Sequence, residues 1–71
     1  MEAVNKLKEL GYTVEIWSTW EGDKGKFKFC RGGGHWLGLL NTDNRTINPC
    51  HGFYGDYLRG IAKKLNFELV Q

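Results

Sequence analysis

A chain of 71 residues, 41% hydrophobic and 14% aromatic with a net charge of +2, is expected to form one domain over 1–71 near the lower size limit, because so short a chain buries only about 60% of its unfolded surface. Mixed charge and ordinary apolar content exclude a disordered polyelectrolyte, and no run approaches the roughly 18 apolar residues of a membrane span. The N-terminal residues alternate charge with small apolar groups and lack the apolar core of a secretory signal, so the expectation is a cytoplasmic chain with no membrane partner. In a reducing compartment Cys30 and Cys50 are expected as free thiols.

Val4, Leu7 and Leu10 recur at helical spacing, and Gly11 follows as a left-handed cap, which predicts a first helix ending there. Tyr12, Val14 and Ile16 then alternate with Thr13 and Glu15 and predict a strand continuing to about Trp20, with a turn over Glu21 to Gly25. A second strand from Lys26 to Arg31 sets Phe27 and Phe29 on one face and Lys26 and Lys28 on the other. Gly32, Gly33 and Gly34 break the pattern, and Trp36 to Leu40 restarts it as a short apolar strand. Asn41 to Asn44 turn the chain into Arg45, Thr46 and Ile47; Pro49 ends the pairing, and Cys50, His51 and Gly52 form a connector.

A second helix follows, with Tyr54, Tyr57, Leu58, Ile61 and Leu65 on its apolar stripe and Asn66 as its left-handed cap. Phe67 to Val70 read as a last short strand or a docked tail. The expected fold is α+β: helix, three- to four-stranded antiparallel sheet, helix, short C-terminal strand, with both helices on one face and the other face open to a partner.

Cys30, His35, Cys50 and His51 are the residue types of a zinc site. No C-x-x-C knuckle is present, however, and Cys50 and His51 are neighbours whose side chains diverge, so neither a metal nor a cofactor is expected. A Cys30 nucleophile with His35 as base lacks an orienting group. Basic residues interleaved with aromatics suggest nucleic acid: Lys24, Lys26, Lys28, Arg31 and Arg45 meet phosphates while Trp17, Trp20 or Trp36 stacks on a base. A solvated lysine face over a tryptophan core is the default for composition alone. His35 follows three glycines, whose backbone lets a phosphodiester approach closely.

From Lys6 onward the chain resembles the HicA family of small toxins. A short helix runs into Gly11 and Tyr12; Gly33, Gly34 and His35 match a G-x-H element; Thr46, Ile47, Asn48, Pro49, Cys50 and His51 match T-[IV]-x-P-x-H; Gly55, Leu58, Ile61, Lys63 and Leu65 match the closing helix. The resemblance implies a double-stranded-RNA-binding-like fold of helix, three strands, helix, and a metal-independent endoribonuclease acting on mRNA and silenced by an antitoxin. It makes His35 either the base toward a ribose 2′-hydroxyl, since an imidazole exchanges protons near neutral pH, or a group stabilising the cleaving phosphate, and makes His51 a second catalytic candidate. Lys26, Lys28, Arg31, Arg45 and Trp36 would position RNA. Between Tyr12 and Gly33 the chain carries about one hairpin more than the family pattern needs. Two other functions remain open at this level: a non-catalytic nucleic-acid-binding module, and a small phage or mobile-element inhibitor that covers a protein partner with its aromatic surface.

Overall fold

The computed structural model describes residues 2–50 and 55–70. The chain runs α1 (Glu2–Glu9), β1 (Tyr12–Ile16), a 3₁₀ turn (Glu21–Asp23), β2 (Lys26–Arg31), β3 (Trp36–Asn41), β4 (Thr46–Pro49), α2 (Gly55–Leu65) and β5 (Glu68–Leu69). The class is α+β. The strands form one five-stranded sheet in the order β1-β2-β3-β4-β5, antiparallel except for the parallel pair β4–β5, so the C-terminal segment is a strand of a mixed sheet rather than a docked tail. Among the described residues four strands separate the helices, one more than the HicA pattern implies.

Both helices leave through a residue with positive φ, Gly11 at 97° and Asn66 at 61°. At α2 the exit is a Schellman motif: Phe67 N donates to the Ala62 carbonyl at 2.9 Å and Asn66 N to the Lys63 carbonyl at 3.2 Å. β1 is shorter than expected, because past Ile16 the chain bends into the 3₁₀ turn, whose Asp23 is held by Ser18.

The core joins Val4 and Leu7 of α1 and Leu58, Ile61, Ala62 and Leu65 of α2 to Phe29, Leu37, Leu40 and Ile47 of the sheet. Register explains the set. Phe29 pairs with Gly38 and Leu40 with Ile47, so these side chains share the face that both helices cover. Gly38 is needed there: a Cβ would stand 3.1 Å from the Asn48 carbonyl oxygen and 3.2 Å from the ring of Phe29, which is fully buried. Two residues expected on apolar stripes are not in this core. Leu10 follows α1 in a turn and is 39% exposed, and Tyr57 is 41% exposed. Tyr54 lies outside the described residues.

One irregularity decides what the uncovered face carries. Phe29 pairs with Gly38 but Cys30 pairs with Trp36, so Leu37 is an extra residue in β3. Strict alternation would put Trp36 on the face of Leu40. The bulge instead sets Trp36 beside Cys30 and Lys28 and gives Leu37 to the core. Among the described residues no helix is long and apolar enough to cross a membrane.

Candidate nucleic-acid interface

β2 and β3 place three of the sequence-predicted residues on the face that neither helix covers. Lys26 and Lys28 are two apart on β2, and Lys28 Nζ lies 4.8 Å above the centroid of the Trp36 ring. Lys26 Nζ is 3.2 Å from Asp23 Oδ1, while Asp23 Oδ2 accepts from Ser18 Oγ at 2.6 Å. That hydroxyl first, and Lys26 beside it, hold the Asp23 carboxyl below its ordinary range. Glu15 stands opposite Lys28 in the β1–β2 register, so the face is cationic along β2 and not throughout.

The loop after β2 reverses the chain in a turn in which Gly34 N donates to the Arg31 carbonyl at 3.4 Å and Gly32 takes a φ of 65°. Only Gly32 of the three glycines is conformationally demanded. A Cβ on Gly33 would meet nothing within 4 Å, and one on Gly34 would make an ordinary contact with the Arg31 carbonyl. His35 is exposed at the exit of this turn, immediately before β3. His51, the second catalytic candidate, lies outside the described residues.

Arg31 pairs with Tyr12 at the end of the β1–β2 ladder, and its side chain reaches α2: Nη1 donates to Tyr57 Oη at 3.4 Å. Tyr57 Oη is also hydrogen-bonded to Tyr12 Oη. Partial burial, then the hydrogen bond to Tyr57, push the Tyr12 phenol up to about 12. Burial acts upward on Tyr57 too, but hydrogen bonds from Tyr12 and Arg31, with the charges of Arg31 and Lys64, outweigh it and hold Tyr57 below its ordinary value. The hydrogen bond to Tyr57 in turn raises Arg31.

This phenol–guanidinium cluster was not visible in the sequence. The helical period sends Tyr57 to the core stripe, and the signal that would have found it is the β1–β2 register, which brings Tyr12 beside Arg31.

Arg45 is placed elsewhere. It sits in the β3–β4 turn at the opposite end of β3 from His35, with φ of 57°. Its Nη2 donates to the carbonyls of Asn66 at 3.1 Å and Leu65 at 3.4 Å, and its guanidinium lies 4.6 Å from the Phe67 centroid. The side chain therefore caps α2, satisfying carbonyls that a helix end leaves over.

Cys30 is buried, Cys50 is exposed and both are free thiols; Cys30 Sγ donates to the Gly32 carbonyl at 3.4 Å. No group of three or more His, Cys, Asp or Glu side chains converges among the described residues to hold a metal. Comparison of the chain with protein-family models, with curated proteins and with solved structures finds no match in any of the three.

Proposed function

We propose that this chain is a small cytoplasmic RNA-binding protein of the toxin type, which takes single-stranded RNA across the uncovered sheet face and cleaves it beside His35. The observation that carries this proposal is the co-location of Lys26, Lys28 and Trp36 on that face, next to the glycine turn that presents His35. Lysines supply sequence-independent attraction to phosphates, and an aromatic ring offers a base a stacking surface. At the turn, backbone without Cβ atoms at Gly33 and Gly34 lets a phosphodiester come close.

In the reaction proposed, the His35 imidazole removes the proton of a ribose 2′-hydroxyl and the 2′-oxygen attacks the adjacent phosphorus. The bond to the 5′-oxygen breaks, that oxygen takes a proton from solvent water, and His35 returns its proton to solvent. The products are a 2′,3′-cyclic phosphate and a 5′-hydroxyl, and the base chemistry requires no metal. The test is incubation of the purified chain with a labelled single-stranded RNA in EDTA. Cleavage to cyclic-phosphate ends, abolished by His35→Ala, is the expected result. RNA binding with a steep salt dependence and no cleavage would leave a non-catalytic RNA-binding module.

A separate observation favours a protein partner, an antitoxin or another protein, on a different surface. Ile16 and Trp20, 57% and 70% exposed, line one open depression with Ser18 and Lys24 where β1 runs into the 3₁₀ turn. Clustered exposed apolar side chains of this size mark interaction sites. Salt-insensitive association with a protein, lost in Trp20→Ser while RNA affinity stays unchanged, is the result that supports this role.

A further inference from the structure

We infer that Tyr57, Arg31 and Tyr12 form an oxyanion site that takes a phosphate group, and that the phosphate is one of the RNA backbone; this last step rests on the proposed RNA function. Hydrogen-bond bookkeeping carries the inference. A guanidinium only donates, so Arg31 gives its proton to Tyr57 Oη. In the bond between the two phenols one donates and one accepts. Either direction leaves one O–H of the pair unspent. That O–H is on Tyr57 when Tyr12 donates and on Tyr12 when Tyr57 donates, and the pair sits at the surface, where Tyr57 is 41% exposed.

That O–H is available to donate to a ligand at the surface. The remaining N–H groups of the exposed Arg31 fork supply further donors and a charge that is never lost. A guanidinium fork beside an unspent phenol O–H suits an anionic oxygen. The groups facing it are compatible: Lys64 acts on Tyr57 as a positive charge, and the neighbouring Asp56 is ion-paired with Arg59 at 3.5 Å and points into solvent.

Three elements hold the donors in place. Tyr12 stands edge-on to the buried Phe29, with centroids 6.0 Å apart and rings at 89°; Tyr57 belongs to the first turn of α2; and Arg31 ends β2. Gly32 and Gly33 follow directly, and neither offers a Cβ to obstruct an incoming phosphate.

The test uses the full chain and reads tyrosinate ultraviolet absorbance against pH, in inorganic phosphate, in acetate and in chloride at equal ionic strength. Phosphate is expected to move the earliest phenol ionisation to higher pH, because an anion accepting the unspent O–H of the Tyr12–Tyr57 pair disfavours the phenolate. The shift should vanish in Tyr57→Phe and shrink in Arg31→Lys, which keeps charge but loses the fork. In the second arm, Tyr57→Phe lowers affinity for single-stranded RNA roughly three- to tenfold, the loss expected for one hydrogen bond. No shift in phosphate, or an equal shift in acetate, overturns the site even if the sheet face binds RNA. A phosphate-specific shift in a chain without RNA affinity upholds the site and removes RNA as its source.

Discussion

Arg45→Ala isolates a side chain that sequence pattern assigns to RNA and geometry assigns to the end of α2. The change removes a charge-assisted hydrogen bond to the Asn66 carbonyl at 3.1 Å, a longer one to Leu65 at 3.4 Å, and a guanidinium 4.6 Å from the Phe67 centroid. With about 1 kcal/mol for the hydrogen bonds at this exposed end and about 0.5–1 kcal/mol for the cation–π contact, the variant should lose about 2 kcal/mol of stability. For a domain of this size that lowers Tm by roughly 10 °C. Alanine inherits the left-handed backbone, φ 57°, unrelieved. Arg45→Gly removes the same interactions but releases strain of about 1 kcal/mol, so it should be the milder of the two. Urea unfolding followed by tryptophan fluorescence measures both, and RNA affinity under folding conditions should be unchanged in each. Two outcomes refute the reasoning: Arg45→Ala as stable as the parent, or Arg45→Gly less stable than Arg45→Ala.

Gly32→Ala places a side chain at φ 65° and should cost roughly 1–2 kcal/mol, whereas Gly33→Ala, with nothing within 4 Å of the new Cβ, should be close to neutral in stability while weakening RNA binding. Gly38→Ala pushes a methyl against the Asn48 carbonyl and the Phe29 ring and should cost about 1–3 kcal/mol in the same unfolding assay. Tyr57 should ionise before Tyr12, which ionises near pH 12, and Tyr12→Phe should abolish that late step in a spectrophotometric titration. Because folding raises the Tyr12 pKa from 10.0 to about 12, its contribution to stability is complete below pH 10 and disappears between pH 10 and 12. Tyr57 has the opposite sign and adds stability as pH rises through its lowered value, so the loss toward pH 12 should be absent in Tyr12→Phe.

Local periodicity found what depends on local periodicity. Val4, Leu7, Leu58, Ile61 and Leu65 lie in the core as their helical spacing requires, and the alternation of Lys26 to Arg31 correctly separates phenyl rings from lysines. The helix exits at Gly11 and Asn66 were equally legible, since few residues adopt positive φ without cost. What escaped depends on pairing between distant segments. The β3 bulge turns Trp36 to the lysine face, and no feature of Trp36, Leu37 and Gly38 announces it. Tyr57 could be distinguished from its core-facing neighbours only through its partners Tyr12 and Arg31, separated from it by 45 and 26 positions. Arg45 looked like any surface cation because its carbonyl partners, Leu65 and Asn66, arrive from the far side of α2.

The two reversals flanking β3 are built by different means, and that difference separates stability from function. At Asn41 to Arg45, side chains make the turn: Asn41 Oδ1 accepts from the backbone N of Asp43 at 3.0 Å and Asn44 at 3.4 Å, Thr46 Oγ1 donates to Asn44 Oδ1 at 2.6 Å, and Arg45 reaches α2. At Arg31 to Gly34, glycine backbone makes the turn, and the flanking Arg31 is engaged with a phenol on α2. A ligand at the first end would compete with hydrogen bonds that hold the fold, whereas a phosphate at the second would add an acceptor to donors that are already held in position. Substitutions in 41–45 should therefore lower stability at constant RNA affinity per folded molecule. Side-chain substitutions at Arg31, His35 or Tyr57 should instead lower binding or cleavage per folded molecule, beyond any stability lost with the Tyr12–Tyr57–Arg31 hydrogen bonds.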